Sequence, residues 1–429
     1  MKKKILICLK NPFAIDNLLL EIRLLSKSFD ITLLTTNYLL NNNLKKKYKQ
    51  YKEMKYIKSV NYIPYFSNRL SRSIKTIIFT HVFLKKLQKQ INFKNFDICF
   101  SDTKFDIWQR IIFENFISKK CIQVGLTVDA VLIPLEDFKK LISGDDVMKI
   151  VKNLHKLRQD KKIKNKKTSY LNRFQNFINR QKDILLDRRI ISKIFYGKEF
   201  NHKELDFNLL ETDKFDYKLS FFYSSYYFWN KIYKKNSFLI NLKNDCTCDE
   251  SSVNKKNKAI FISTLWSEYK KHEYPINEKI QNISTFFQLL REKNPHLNQL
   301  DFRFHPEEDE QVKKSIKKEI INQNLNFINF MENNINLNEL SCNYSNAFGA
   351  LSGALVYLKK FCNNIEVYCL RSLSEEIYGE YYYLKMINEG VIHYDDINNI
   401  YINNQQFINK KELDVKRYNL DEFIFSILN

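Results

Sequence analysis

The amino-acid sequence predicts a two-domain α/β protein built on parallel sheets. Its 429 residues exceed what one hydrophobic core ordinarily serves. Short apolar runs alternate with helical patterns of about 10–15 residues, as βαβ units do. The alternation occurs twice, on either side of a polar, charged stretch at Asn244–Lys258. The domains are therefore expected at 1–243 and 258–429, each a parallel α/β unit with right-handed crossovers.

The first half opens on a buried strand, Lys4–Leu9, broken by Asn11-Pro12. Leu18, Leu19, Ile22 and Leu25 recur at helical spacing and predict a helix over Asp16–Ser28. Phe29–Thr35, rich in Ile, Thr and Leu, is the next strand. A helix at Ser71–Gln90, a strand at Phe96–Ser101, a helix at Phe105–Phe116 and a strand at Lys120–Gly125 complete this alternation.

From 142 to 200 the pattern becomes helical and basic. Between Lys156 and Lys167 there are seven Lys/Arg residues against one acid, Asp160, while Phe174, Phe177, Ile178, Ile184 and Leu185 keep helical spacing. This insertion reads either as a solvated helix pair packed on the first domain or as a contact with an anionic membrane. Leu205–Leu242 is aromatic and reads as a packed connector or an acceptor platform.

The second half predicts strands at Lys258–Thr264, Leu300–Phe304, Phe327–Phe330, Ser345–Phe348 and Glu366–Leu370. Helices are predicted at Glu278–Lys293, Glu307–Gln323, Leu337–Tyr344, Ser352–Phe361 and Tyr378–Glu389.

The net charge of +22 implies an anionic partner or a solvated Lys-rich surface. No zinc-finger spacing, RNP-like segment or basic-leucine heptad accompanies it, so no nucleic-acid partner is expected. The eight cysteines are mostly isolated, several within apolar runs, which fits buried thiols in a reducing cytoplasm. The five-residue apolar run after Lys2-Lys-Lys4 reads as a strand rather than a signal peptide. No run approaches the roughly 18–20 apolar residues that span a bilayer.

Phosphate loops, Gly-x-Gly-x-x-Gly, Gly-x-Ser-x-Gly and His-Glu-x-x-His are all absent, and there are only seven glycines. No Asp-x-Asp occurs, so a metal-independent mechanism is expected. Three segments remain. In the first, Arg303 and His305 share a face of the strand that ends at Pro306, where open α/β sheets bind ligands. A guanidinium and an imidazole there can grip a phosphate. The second runs from Tyr344 to Leu355: Ser352 is an N-cap before an apolar helix, and the free N–H groups behind it suit either a plain cap or a bound phosphate. The third leaves a strand through Gly125 and reaches Asp129 in an apolar run. Asp129 reads either as a turn residue or as a general base.

Together these segments resemble GT-B glycosyltransferases that use CMP-activated acidic sugars: bacterial sialyltransferases, polysialyltransferases and capsule-type Kdo or nonulosonic-acid transferases. The resemblance implies two Rossmann-like domains with parallel sheets facing a central cleft. It implies that His305, beside Pro306, contacts the CMP phosphate or protonates it as it leaves. Ser352-Gly353, and Ser345, would bind that phosphate along with Arg303. Asp129, or Asp102 in its place, would deprotonate the acceptor hydroxyl. Two departures stand out: Ser352-Gly353 carries one hydroxyl where the family has a pair, and no acidic-acidic-Gly motif flanks Asp129. The expected activity is inverting transfer of a sialic, nonulosonic or Kdo-type sugar from its CMP donor to lipopolysaccharide, capsule or a similar glycan, with no other cofactor. A lipid-linked acceptor would place the protein in the cytoplasm, peripheral on the inner membrane. The other readings are a GT-B transferase with a UDP- or GDP-sugar, and a non-catalytic α/β protein that binds anionic membrane or nucleic acid.

Overall fold

The computed structural model describes residues 2–9, 12–38, 49–65, 74–102, 107–118, 120–127, 133–134, 215–222, 225–226, 229–230, 236–242, 257–265, 276–305, 308–331, 343–350, 352–362, 365–370, 382–383, 391–394 and 415–428. The basic segment at 142–200 and the expected helix at 337–342 lie outside them.

Chain order begins with β1 (Lys3–Leu9), α1 (Pro12–Asn17), α2 (Leu19–Leu25), β2 (Phe29–Tyr38), β3 (Ser59–Tyr65), α3 (Ile74–Gln90), β4 (Ile98–Asp102) and α4 (Ile107–Ile111). It continues with β5 (Ile122–Thr127), β6 (Ile133–Pro134), β7 (Tyr217–Ser220) and β8 (Ser237–Asn241). The second half holds β9 (Lys258–Ile262), α5 (Ile276–Lys293), β10 (Gln299–Arg303), α6 (Glu310–Asn322), β11 (Ile328–Phe330), β12 (Asn346–Gly349), α7 (Gly353–Phe361) and β13 (Glu366–Leu370). Last come β14 (Tyr382–Tyr383), β15 (Val391–Tyr394), β16 (Arg417–Asn419) and α8 (Leu420–Leu428).

Two parallel sheets organise these elements. The first has eight strands in the order β16-β8-β7-β5-β4-β1-β2-β3. The second has six, in the order β11-β10-β9-β12-β13-β15. Each runs outward from its first strand in one direction and then reverses: from β1 through β2 to β3, then β4 onward, and from β9 through β10 to β11, then β12 onward. That is the doubly wound Rossmann order, with switch points between β1 and β4 and between β9 and β12. The fold is α/β with two Rossmann-like sheets, the GT-B-like architecture expected from the sequence.

Strand alternation assigns the cores. Ile5, Ile7 and Leu9 point to a cluster with α2 and α8, whereas Leu6 and Cys8 point to the opposite cluster with α3 and α4. In the second sheet Leu300 and Phe302 pack under α5 and α6. Ile260 and Ile262 of β9 share the large cluster with α7. That cluster spans both sheets, and the ring of Phe222, just past β7, meets Tyr357 of α7 edge-on at 4.9 Å. Among the described cysteines, Cys8, Cys99, Cys121, Cys362 and Cys369 are buried free thiols.

Several elements differ from the sequence reading. The helix expected at Asp16–Ser28 divides at Leu18, which has non-helical ψ, into α1 and α2. The helix expected at Phe105–Phe116 is one α turn followed by a wider π turn over Ile112–Phe116. Tyr382–Tyr383, expected in a helix, instead pairs antiparallel with Ile133–Pro134. Strands β3, β7, β8, β15 and β16 add to the expected set. Pro64 is tolerated in β3 because β3 is an edge strand. Residues 417–428, grouped by sequence with the second domain, join the first sheet: β16 pairs with β8, and Lys3 Nζ donates to the Leu428 carbonyl at 3.2 Å.

Candidate functional site

The second sheet's carboxyl edge gathers the site. Strand β10 stays extended to Arg303, and the backbone then turns, with Glu308 N–H donating to the His305 carbonyl at 3.0 Å. Asp309 caps α6 by accepting from Gln311 N–H at 2.7 Å. Asn324, with φ of 53°, ends that helix: Leu325 N–H reaches the Ile320 carbonyl and Asn324 N–H the Ile321 carbonyl. His305 thus sits between a strand end and a capped helix, as the sequence implies. Pro306 lies outside the described residues.

Along β10 a polar row lines one face. Asp301 accepts from Gln299 at 2.6 Å, Asn329 at 2.9 Å and the Tyr344 hydroxyl at 2.6 Å. Burial and this bond to Asp301 push the Tyr344 phenol well up. Arg303, next on that face, is only 8% exposed, and its Nη1 has no hydrogen-bond partner. Burial pulls the Arg303 pKa down, and the charge of Asp16 opposes this. Asp16 belongs to α1, which follows the first strand of the other sheet. The Asp16 carboxylate is therefore near enough to Arg303 for its charge to act on the guanidinium.

His305 is half-buried, and desolvation pulls its pKa down to about 4. At neutral pH the imidazole is uncharged. A neutral imidazole can exchange hydrogen bonds with a phosphate.

Across the switch point, β12 ends at Gly349. A side chain there would put Cβ 2.5 Å from the Ile262 carbonyl oxygen, so β9 and β12 approach closely only because residue 349 is glycine. Three residues on, Ser352 takes extended angles and accepts from Ala354 N–H at 3.3 Å, capping α7. Gly353 is exposed, and a Cβ there would meet nothing within 4 Å. The helix start is thus open to a ligand, with a favourable dipole. Ser345 does not join it. It lies before β12, at the amino edge, where its hydroxyl donates to the Lys258 carbonyl at 3.1 Å. The length of β12 separates it from Ser352, so the structure does not bring these two candidate residues together.

In the first sheet, Asp102 is the last residue of β4, at the switch point beside β1. Buried Gln109 of α4 donates to the Cys8 carbonyl at 2.9 Å, Ser101 Oγ at 3.0 Å and Asp102 Oδ2 at 3.3 Å. The sequence reading missed Gln109; its only signal is a polar residue among Ile107, Trp108 and Ile111. Asp129 lies outside the described residues.

No family model matches the chain, and no curated protein matches it. Solved structures resemble it at low identity. The UDP-GlcNAc 2-epimerase of Methanocaldococcus jannaschii, in complex with UDP-GlcNAc and UDP, has a TM-score of 0.47 at 13% identity, covering 99% of each chain. The Neisseria meningitidis UDP-GlcNAc 2-epimerase has a TM-score of 0.44 at 10% identity, covering 86% of this chain and 82% of that one. The Escherichia coli heptosyltransferase WaaC has a TM-score of 0.35 at 8% identity, covering 86% and 88%. At such scores the fold assignment rests on the strand orders above. Among the described residues no helix is long and apolar enough to cross a membrane.

Proposed function

We propose that this chain is a glycosyltransferase that binds a nucleotide-activated sugar at the carboxyl edge of its second sheet, with a UDP- or GDP-sugar as donor. The observation that carries the reading is Arg303, a buried guanidinium with an unsatisfied N–H at a Rossmann strand end. Buried polar groups are almost always paired, and an anion is the natural partner for this one. A second anion-binding element, the open start of α7, follows β12. Strand β9 lies between β10 and β12, so the two elements stand on strands roughly 9–10 Å apart. That span suits two linked anionic groups, and a diphosphate is the simplest such ligand.

A CMP-linked acidic sugar is the second reading, because its phosphate and carboxylate also make two anions and because the sequence resemblance implies phosphate contacts for Arg303, His305 and Ser352. The neutral state of His305 weakens the proton-donor part of that reading. In either case the acceptor oxygen attacks the anomeric carbon, the carbon–oxygen bond to the phosphate breaks, and the acceptor proton passes to a carboxylate. Asp102, at the first sheet's switch point, suits that role, and Asp129 is the other choice. An acceptor linked to lipid would bring the charge of +22 to an anionic membrane surface.

A thermal-shift panel of UDP, GDP, CMP and their sugars tests this. Stabilisation by UDP or GDP is expected. Stabilisation by CMP alone would favour the acidic-sugar donor, and no shift with any nucleotide would sink the proposal.

A further inference from the structure

Thr264, expected from the sequence only as the end of a strand and not as a site residue, shares with Arg303 a buried polar atom that has no hydrogen-bond partner. It lies two residues past β9, the central strand of the switch point, and is 5% exposed. Its Oγ1 is buried with no hydrogen-bond partner. The local backbone explains the burial. Ser263 N–H donates to the Arg303 carbonyl at 2.9 Å, so the chain past Ile262 stays beside β10. Ser263 turns its own hydroxyl onto the Thr264 carbonyl at 2.9 Å, which fixes that peptide. Ile262 is in register with both Arg303 and Gly349, which places these three on one face of the sheet, the face α7 covers.

An orphaned hydroxyl in a protein interior costs about 1–3 kcal/mol, and chains seldom retain one for nothing. Orphaned buried side-chain atoms occur elsewhere among the described residues; what sets Thr264 Oγ1 and Arg303 Nη1 apart is that they stand at the carboxyl ends of adjacent strands of one sheet, where a single acceptor can serve both. Hydrophobic residues of the same shape would remove the cost at either place. The third element, the start of α7, lies on the far side of β9 from Arg303, so Thr264 occupies the middle of the row.

We propose that the Thr264 hydroxyl is a donor-phosphate ligand, set between Arg303 and the α7 start and bonding the bridge region of a diphosphate that reaches from one to the other. The inference rests on the nucleotide-sugar reading above and adds a residue to its site.

The test uses the full chain with Thr264→Val, which keeps the side-chain shape, and Thr264→Ser, which keeps the hydroxyl. Binding of inorganic pyrophosphate, UDP and uridine is measured by calorimetry, together with the melting temperature of each ligand-free protein. Thr264→Val is expected to bind pyrophosphate and UDP about tenfold more weakly, with uridine binding and the ligand-free melting temperature not reduced. Thr264→Ser is expected to stay within about threefold of the wild type. Should Thr264→Val fail to fold, Thr264→Ala gives the same comparison. Wild-type affinity in Thr264→Val, or an equal loss in Thr264→Ser, overturns the role of Thr264 while leaving the nucleotide reading intact. A wild-type protein that binds neither pyrophosphate nor nucleotide overturns both.

Discussion

Asp16 supplies a charge that offsets the burial of Arg303, although Asp16 stands on helix α1 of the first half and Arg303 on strand β10 of the second. The Tyr51 hydroxyl, buried in the first half, donates to Asp16 and holds the carboxylate in place. In the ligand-free protein Asp16 is therefore the negative group nearest in effect to the guanidinium proposed to hold a phosphate, and a bound phosphate competes with it.

Asp16→Asn should act in two directions at once. Removing the charge that opposes the burial of Arg303 lowers stability. Removing a negative charge beside an anion site strengthens pyrophosphate binding several-fold. Tyr51→Phe is the control, since it loosens the carboxylate without removing its charge. Denaturant titration and calorimetry read both effects. Unchanged anion affinity in Asp16→Asn would dissociate Asp16 from the site.

His305 makes stability depend on pH in a defined window. Its folded pKa of about 4 lies below the ordinary histidine value, so between about pH 4 and 6.5 the unfolded chain binds a proton that the folded protein does not. Stability is full above about pH 6.5 and falls as pH drops toward 4, by up to about 3 kcal/mol from this group. His305→Asn should flatten that part of the profile. Bound pyrophosphate should raise the imidazole pKa, because a neighbouring anion favours the cation. NMR titration of the imidazole with and without pyrophosphate checks the shift, and an unmoved pKa places the anion elsewhere.

Ser352 combines a cap with a ligand contact, and two substitutions separate them. Ser352→Ala loses the cap, at about 1 kcal/mol, whereas Ser352→Gly costs only a few tenths. If the hydroxyl also touches the phosphate, both variants lose nucleotide affinity alike while only the first loses much stability. A short helix such as α7 owes its existence to packing, with Leu355, Val356, Leu358 and Phe361 all buried, so neither change should unfold it.

Much of this arrangement is legible in the sequence. The strands β1, β9 and β13 are nearly continuous apolar runs, because both faces of an inner parallel strand are covered, whereas β10 alternates Leu300 and Phe302 with Asp301 and Arg303. The Ser352 cap stands out because a hydroxyl precedes a helical apolar pattern. Strand β7 does not, since Lys218 sits mid-strand; it is buried against the rings of Phe215 and Trp229, the second of which the sequence places eleven residues away. Thr264 and Gln109 carry no pattern at all. A lone Thr past a strand or a lone Gln in a helix acquires meaning only from which atoms stay unsatisfied or which carbonyls lie within reach. Ser345 misleads for a related reason: sequence places it near Ser352, but a strand intervenes and sends the two to opposite edges.

Gly349 tests the closeness of β9 and β12 directly. In Gly349→Ala the new Cβ would lie 2.5 Å from the Ile262 carbonyl oxygen, an atom of the backbone that cannot swing aside. The strands must separate, at a cost of about 1–3 kcal/mol or more. Because Thr264 and the α7 start stand on these two strands, pyrophosphate affinity should fall with stability. Gly353→Ala meets no atoms and should leave stability within about 0.5 kcal/mol. Equal melting temperatures for the two variants would contradict the packing described.

Gln109 and Asp102 divide the roles of positioning and proton transfer. One amide nitrogen has two hydrogens, yet Gln109 Nε2 lies within reach of three acceptors, the nearest being the Cys8 carbonyl and the farthest Asp102. Gln109 is therefore anchored first to the backbone of β1 and holds the carboxylate from that anchor. If Asp102 takes the acceptor proton, Asp102→Asn should lower kcat by a factor of about 10²–10⁴ with nucleotide affinity unchanged. Gln109→Met fills the same volume but releases the carboxylate. It should lower kcat about tenfold, leave the donor KM unaltered and shift the acidic limb of the pH–rate profile, which a merely structural loss would not do. An Asp102→Asn protein with full turnover would move proton abstraction to another carboxylate, with Asp129 the first to examine.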